Sequence, residues 1–580
     1  MLVTRIDAGN SKARLLSRSS LYVARPVLGA AALSVLATVA SAAGAGADDL
    51  VDRLTRLEAG VPQPAAHETH AAPAETLAAP ARSPASDRAK KKSSGPATPH
   101  AAAVGAPPAS VSIEERLSRL EALAASGAQA PAQHPAASGG HADAAHGAAP
   151  TFEFNDLRPT IRSADGRNEL SVRGLMQADA AAYIQDPGDM GPGVSADHAD
   201  LGSGAIMRKA RVGVEGKFMD DFIYEMRFEF GGADSESGGT IDVMRVGYVG
   251  IPNMRIHLGV LQPVMTMAES TSSSELLFLE RPSVVGVVAS AFGGKSGRRG
   301  VEATYQKEGV FQDGDNLVIS AALTGGTVGT GHGGTGIDDE VTNLLGRAAY
   351  RVYADKDTNI QIGTTLAEVV NVNGAGSPGG AAYIKFRDRP ETGVSGEYLV
   401  EAATSSSGIR AQGASLAGLE AGMNVQNLFL GGEWYEFDVD RDASAYDPSF
   451  SGWYVEGSWI ITGEHRRYVA SAYDGNLAVW AGPKVKKPLG AGGIGVIEAV
   501  GRYSVLDLNW NEGAAGAATP AGGIRGGEQS IFSLGLIWYL NNNLRLMTDY
   551  QWVDVDRLNG AGDDAGQQLE ILQGRVQFKF

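Results

Sequence analysis

The stretch Asp221-Phe-Ile-Tyr-Glu-Met-Arg-Phe-Glu-Phe230 decides the fold of this chain. Apolar and aromatic residues occupy every second position, and the charged residues Glu225, Arg227 and Glu229 lie between them. Because successive side chains of a β-strand point to opposite faces, this pattern predicts a strand with one apolar and one charged face. A strand of a soluble sheet would show the same alternation. The number of such strands along the chain therefore has to distinguish a soluble sheet from a membrane barrel.

The two-faced pattern recurs from residue 168 to Phe580, between loops rich in Gly, Asp and Asn. It predicts sixteen strands: 168–183, 205–217, 221–232, 240–250, 253–262, 298–307, 315–325, 341–353, 357–370, 415–425, 427–440, 449–462, 493–509, 529–540, 543–557 and 567–580. The number is even, as single-chain bacterial barrels require. We therefore predict an all-β protein, a 16-stranded antiparallel transmembrane β-barrel with lipid outside and a charged, water-filled bore inside.

The connections support this prediction because short ones alternate with long ones. Met219-Asp220 and Asn541-Asn542 are short, whereas 263–297 and 371–414 are long. Short periplasmic turns and long outer loops are typical of these barrels. One long segment, 463–492, falls where a short turn is expected. A strand-like run at 380–387 is assigned to a long loop.

The residues before the barrel differ in composition. Five basic residues, then an apolar run and the small-residue site Ala40-Ser41-Ala42, predict a signal peptide at 1–42, with a membrane anchor as the alternative. The leucine spacing in Asp52-Arg-Leu-Thr-Arg-Leu-Glu58 and in Glu115-Arg-Leu-Ser-Arg-Leu-Glu121 predicts short helices. The domains are then a signal peptide 1–42, a short coiled coil 43–60, a disordered Ala/Pro-rich linker 61–110, a second coiled coil 111–126, a linker 127–160 and the barrel 161–580.

Composition excludes several classes of function. The chain has no cysteine, so neither a disulfide nor a thiolate nucleophile is expected. The net charge of −17 argues against nucleic acid as a partner, because phosphate binding needs a basic surface. Six of the ten histidines lie in the linker at irregular spacing, which favours a solvated tail over a metal site. We expect neither a metal nor another cofactor.

From about residue 160 onward the chain resembles the phosphate-selective porin O and P family. The segments that carry the resemblance include Arg173-Gly-Leu-Met-Gln-Ala-Asp179, Met207-Arg-Lys-Ala-Arg-Val-Gly-Val-Glu-Gly-Lys217, Glu269-Ser-Thr-Ser-Ser-Ser274, Phe278-Leu-Glu-Arg281 and Ile461-Thr-Gly-Glu-His-Arg-Arg-Tyr468. The resemblance implies a bacterial outer-membrane homotrimer of sixteen-stranded barrels, each narrowed by inward-folded loops and lined by basic residues. It also implies a constriction lysine after the Thr-Ser-Ser stretch. Ser274 and Glu275 stand there instead, which puts phosphate selection in doubt.

Alternation predicts which cations face the bore. The pore-lining set is Arg173, Lys209, Arg211, Arg227, Arg298, Arg347, Arg351 and Arg502, with Arg545 and Arg575 on the same face of their strands. Rings of Arg and Lys attract anions, so we expect passive diffusion of small anionic solutes, phosphate or organic acids. Acids on the same faces, such as Glu215 and Glu225, could instead pair with these bases and brace the wall. The constriction is expected in the 263–297 loop, at Thr271, Ser272, Ser273, Ser274 and Glu275.

The final strand ends at Phe580, with Leu572, Val576 and Phe578 on the same face. An aromatic end on an amphipathic strand looks like the signal by which the barrel-assembly machinery recognises its substrates. Other classes stay open: a general or cation-preferring porin, a barrel that tethers the envelope through its N-terminal helices, and an enzyme. We expect no enzyme, because none of His198, His257, His332 and His465 forms a recognisable pair with a serine and an acid.

Overall fold

The computed structural model describes residues 149–185, 199–232, 239–328, 341–372, 382–405, 407–441, 446–471 and 477–580. The predicted signal peptide, both coiled coils, the 61–110 linker and residues 127–148 of the second linker lie outside this part of the chain. Within it, no helix is long and apolar enough to cross a membrane.

Sixteen antiparallel strands form a closed barrel. They are β3 (Glu169–Gln185), β4 (Gly204–Phe218), β5 (Phe222–Glu229), β6 (Thr240–Tyr248), β7 (Met254–Leu261), β8 (Arg298–Glu308), β9 (Asn316–Thr327), β10 (Thr342–Ala354), β11 (Thr358–Asn371), β16 (Gly413–Val425), β17 (Leu428–Asp440), β18 (Ser449–Ile460), β21 (Val496–Trp510), β22 (Ile524–Tyr539), β23 (Leu544–Asp556) and β24 (Gln567–Lys579). The predicted sixteen strands are confirmed, and each lies within a few residues of its expected bounds.

The barrel closes where β24 pairs with β3, from Leu569 opposite Gln185 to Lys579 opposite Leu175. Phe580 completes the seam, since its backbone N–H and C=O each bond to Gly174 at 3.0 Å. The Phe580 ring lies where a Cβ on residue 174 would stand, so a larger residue there would have to displace the ring. No strand edge is left open along this seam, as a membrane-spanning sheet requires.

The remaining short strands are β1 (Thr151–Asn155), β2 (Arg158–Arg162), β12 (Tyr383–Ile384), β13 (Phe386–Asp388), β14 (Val400–Ala402), β15 (Ile409–Arg410), β19 (Arg467–Ser471) and β20 (Leu477–Ala481), and the helix α1 covers Ser283–Ala291. The β1–β2 hairpin pairs through β2 with the first residues of β3, Glu169 to Ser171, which β24 does not reach. The predicted linker, 127–160, therefore ends about ten residues too late, because residues 151–160 form most of this hairpin. The sequence signal was weak, since the turn at Asp156 and Leu157 lacks glycine although both residues have positive φ.

Connections at one end of the barrel are short, and this end is called the short-turn end. Met219 and Asp220, for example, both adopt positive φ and join β4 to β5 directly. The other end carries the 262–297 and 372–412 connections and is called the long-loop end. The described part of the 380–387 run, residues 382–387, lies in the second of these, outside the barrel wall, as predicted.

The outward faces of the strands are apolar. Leu258 and Leu419 are 67% and 60% exposed, and Val246, Leu344 and Leu534 share this surface. Aromatic rings gather at the short-turn end, where Phe218 and Phe222 stack at 5.0 Å. An apolar band edged by aromatic side chains is what a barrel presents to lipid.

The inward faces are mixed, which corrects the expectation of a uniformly charged bore. Towards the long-loop end of β16 to β24 they carry buried apolar residues such as Phe437, Phe450 and Ile571. Phe386 of the 372–412 loop packs on Phe437 and Phe450 with ring centroids 5.0 and 5.6 Å apart. Loops that fold inward need an apolar surface to pack against, so this part of the interior is a packed core. The charged inner surface is concentrated on β3 to β8 and at the short-turn end.

Candidate functional site: the bore and its basic vestibule

Among the described residues, three connections fold into the bore. The 262–297 loop starts between β7 and β8 and reaches the opposite wall, where Arg502 donates to the Glu280 carbonyl at 3.0 Å and Gln529 to the Ser283 hydroxyl at 2.8 Å. It is held at its start by Glu433, whose carboxylate accepts the backbone N–H groups of Met267 and Ala268 at 2.7 and 3.2 Å. The loop therefore crosses the interior from wall to wall.

The 372–412 loop enters from the same end and binds to the first. Its Glu391 accepts hydrogen bonds from the backbone N–H of Ser283 at 3.0 Å and from the Ser504 hydroxyl at 2.6 Å. The same carboxylate forms a buried ion pair with Arg502. Glu391 thus ties the two loops to the wall of the barrel.

The third connection, 461–495, enters from the short-turn end and accounts for the unexpectedly long 463–492 segment. Its hairpin β19–β20 is buried against β9, β10, β11 and β16. Arg347 donates to the carbonyls of Leu477 and Ala478 at 2.8 and 3.0 Å, and the Trp480 indole N–H donates to Asn424 at 2.8 Å. This hairpin fills one side of the bore at the short-turn end.

A cavity of about 460 Å³ remains on the other side of the short-turn end, and we call it the vestibule. Its charged lining consists of eight cationic side chains and two carboxylates: Arg158, Arg173, Arg211, Arg227, Arg467, Lys484, Arg545, Lys579, Asp156 and Glu275. The cations come from four barrel strands near the seam, from β5, from the β1–β2 hairpin and from the 461–495 connection. The vestibule is therefore a basic chamber at one mouth of the bore.

The predicted constriction residues form the inner boundary of the vestibule. The Ser273 carbonyl accepts from Gln177 of β3, and the Ser274 carbonyl from Gln577 of β24, both at 3.2 Å. Thr271 bonds back to the Met267 carbonyl at 2.9 Å, and Ser272, Ser274 and Glu275 line the cavity. The stretch chosen from the sequence thus lies across the bore, next to the barrel seam.

Three of the eight predicted pore-lining cations, Arg173, Arg211 and Arg227, meet in the vestibule. Each has carboxylate partners on the strands: Arg173 pairs with Glu215 at 2.8 Å, Arg211 with Glu229 at 2.6 Å and Arg227 with Asp242. The acids named from the sequence therefore do pair with these bases, yet they do not line the cavity. These arginines brace the wall and at the same time present charge to the vestibule.

The structure places the other five elsewhere. Arg298 donates to the Ser290 carbonyl at 3.0 Å, beside the end of α1, and Arg351 lies over the Tyr468 ring at 4.4 Å. Arg502 ties the inward loops together, Arg347 is buried against Glu420, and Lys209 is half-buried near Arg208 and Asp242.

Several vestibule cations were not singled out from the sequence. Arg158 lies in the segment taken for linker, and Arg467 and Lys484 lie in the 461–495 connection, which has no strand periodicity to orient them. Arg208 does not line the vestibule, and it was missed for a different reason. A bulge shifts the register of β4 there, so Lys209 pairs with Gln177 and Met207 with Ala178. Arg208 turns inward as a result and pairs with Glu280 at 2.6 Å.

Within the described residues, no group of three or more His, Cys, Asp or Glu side chains could hold a metal ion. His257 and Glu302 lie 3.4 Å apart, buried at the inner wall. The arrangement offers spaced cations along a chamber.

A closed sixteen-stranded barrel with an apolar outer face, inward-folded loops and a charged chamber at one mouth defines the class of outer-membrane porins. The chain belongs to the phosphate-selective porin O and P family, whose model matches residues 193–580.

Two kinds of similarity accompany this assignment. An uncharacterized protein from Caulobacter vibrioides is 25% identical over 431 residues, covering 72% of this chain and 75% of that protein. Among solved structures, the anion-selective porin from Comamonas acidovorans has 14% identity and a TM-score of 0.42, covering 71% of this chain and 100% of its own. The outer membrane channel DcaP of Acinetobacter baumannii has 11% identity and a TM-score of 0.38, covering 71% and 97%. These scores lie below 0.5, so the assignment rests on the family match.

Proposed function

We propose that this porin passes small anions, phosphate or organic acids, by passive diffusion through a bore narrowed by the 262–297 loop. The observation that carries the proposal is the vestibule, where eight cationic side chains face two carboxylates around about 460 Å³. Fields in a chamber with low-dielectric walls are stronger than on an open surface. The charge distribution at this mouth, rather than the net charge of −17 of the whole chain, therefore governs which ions enter the bore.

Spaced cations suit diffusion better than one tight site does. Arginine binds carboxylate or phosphate through two parallel bonds, whereas lysine acts as a point charge. In the vestibule most arginines already share their donors with Glu215, Glu225 or Asp242. Each of these paired arginines attracts a passing anion only weakly. Anions are therefore concentrated at the mouth of the bore but are not held there.

Planar-bilayer recording of the purified protein tests the proposal. In a salt gradient, we expect the sign of the reversal potential to show that anions permeate more readily than cations. A potential of the cation sign would defeat the anion preference and favour the alternative, a general or cation-preferring porin. Absence of channels from correctly folded protein would defeat porin function altogether.

Reversing charge at the exposed lip of the vestibule gives a sharper test. Arg467→Glu with Lys484→Glu should lower the anion-to-cation permeability ratio by about two-fold or more, because both side chains line the chamber. The matched control is Lys486→Glu with Lys487→Glu, the same charge change on exposed residues of the same connection that do not line it. Equal shifts in both double variants would mean that the chamber has no special role.

Further parts of the proposal concern assembly. A homotrimer in the outer membrane, with the short-turn end and the N-terminal segment in the periplasm, follows from the family resemblance; the mass of the detergent-solubilised protein would test the trimer. Phe580 would present the last strand to the barrel-assembly machinery. A tethering role for the N-terminal segment is the second candidate function, and deletion of residues 48–150 would separate it from conduction. Loss of envelope integrity with unchanged conductance would support tethering.

A further inference from the structure

One carboxylate stands at the inner end of the vestibule among the cations. Glu275 is 5% exposed and lies on the 262–297 loop. Its Oε2 accepts the backbone N–H of Gly482 at 2.7 Å, and its Oε1 forms an ion pair with the Lys579 ammonium. Burial raises the pKa of Glu275, but the positive charges of Lys579 and Arg545 lower it by more, and the resulting pKa is about 2. The side chain is therefore an anion at every physiological pH.

The groups that hold this anion do not belong to its loop. Lys579 is on β24, Gly482 is in the 461–495 connection, and Arg545 on β23 flanks the pair while donating to the Leu276 carbonyl at 3.1 Å. An ammonium, a backbone N–H and a nearby guanidinium are the donors that bind free carboxylate and phosphate groups. The wall and the 461–495 connection thus form a cradle for an anion, and the loop from the opposite end of the barrel fills it.

We propose that Glu275 is a built-in counter-ion, whose carboxylate occupies an anion-binding cradle formed by Lys579 and the Gly482 N–H and thereby sets how strongly the pore selects anions. The inference rests on the proposed anion conduction. Occupied by Glu275, the cradle offers a passing solute only partial positive charge, which keeps residence short. Without the carboxylate, the same donors become an open site at the narrow end of the vestibule.

Glu275→Gln tests the charge while keeping the size and one acceptor for Gly482. We expect the anion-to-cation permeability ratio in KCl to rise by about two-fold or more. The rise should be larger at 0.1 M than at 1 M salt, because the screening length falls from about 10 to about 3 Å. Glu464→Gln is the matched charge control, since Glu464 lies on the same connection as Gly482, bonds to Thr462 and does not line the vestibule.

A purely mechanical role would give a different result. If Glu275 only pinned the loop, its removal would raise conductance for both ions and leave the reversal potential unchanged. Glu433→Gln supplies that comparison, because Glu433 holds the start of the same loop and does not line the vestibule. A Glu275→Gln channel that behaves like Glu433→Gln would overturn the inference.

Glu275→Ala with acetate as the probe tests the cradle directly. Millimolar acetate should block chloride current and return selectivity towards the wild-type value in Glu275→Ala, and should do neither in the wild-type protein. No response in Glu275→Ala would overturn the cradle. The two levels of proposal remain separable, since a cation-selective wild-type channel refutes anion conduction, whereas an anion-selective wild type with unchanged Glu275 variants refutes only the counter-ion.

Discussion

Replacing Tyr468 to Trp480 by Asn-Gly should raise the single-channel conductance by about two-fold or more, because the hairpin fills one side of the bore. Arg467 and Ala481 are paired residues, so a two-residue turn can join them without moving either. The change keeps Arg466 and its buried pair with Glu498 at 3.1 Å. It removes the β19–β20 contacts with β9, β10, β11 and β16 and leaves that side of the mouth open to water.

The control for this replacement deletes Gly490 to Gly492, three exposed residues of the same connection that do not enter the bore. Conductance of that variant should equal the wild-type value. Both proteins should keep the heat-dependent gel shift of a folded barrel. If the Asn-Gly variant folds and conducts like the wild type, then the hairpin does not obstruct the path of ions.

Arg347→Ala should destabilise the barrel by about 3–5 kcal/mol, the usual result of breaking a buried ion pair from one side. The side chains of Arg347 and Glu420 are 0% and 1% exposed and lie 2.8 Å apart. Without the guanidinium, the Glu420 carboxylate stays buried without its cation, and the carbonyls of Leu477 and Ala478 lose a donor. Urea unfolding in lipid vesicles, followed by tryptophan fluorescence, measures the loss.

Two companion variants make this prediction specific. Arg351→Ala, on the same strand, should cost less, about 1 kcal/mol, because its ion-pair partner Glu308 is 60% exposed and 3.8 Å away and its contact with the Tyr468 ring is a weak one. Arg347→Met with Glu420→Met should recover much of the stability, since replacing a buried pair by apolar side chains is often neutral. Losses under about 1 kcal/mol for both Arg347→Ala and Arg351→Ala would contradict the prediction and show that water reaches both sites.

The wall of the barrel could be predicted from the sequence, whereas the contents of the bore could not. Alternation in segments such as 221–232 is a local property, and it fixes both the strand and the face of each side chain. It failed at Arg208, where a bulge in β4 shifts the phase by one residue. What stands across the bore from a side chain is a tertiary property. For that reason the sequence does not predict that Arg173 and Arg467 line the same vestibule. It also does not distinguish Arg347, which is buried, from a residue that lines the water path.

The long connection between β7 and β8 predicts the constriction stretch, and it marks Glu275 as a constriction residue and as a departure from the family pattern. Its meaning depends on Lys579 and Gly482, which lie far away in sequence. The inward apolar surface of Phe437 and Phe450 was missed for a related reason. An apolar residue at an inward position has no explanation until the loop that packs on it is known.

The hydrogen bonds between the β3–β24 seam and the 262–297 loop have a consequence for how the protein folds. Gln177 of β3 donates to Gln577 of β24 at 2.7 Å, across 400 residues of chain, and the two amides also bind the carbonyls of Ser273 and Ser274. Threading the loop into a finished cylinder would require passage through a narrow mouth. We therefore expect the loop to collapse onto the nascent wall before β24 pairs with β3. Contacts this distant in sequence form slowly, so closure of the seam is expected to be the late event.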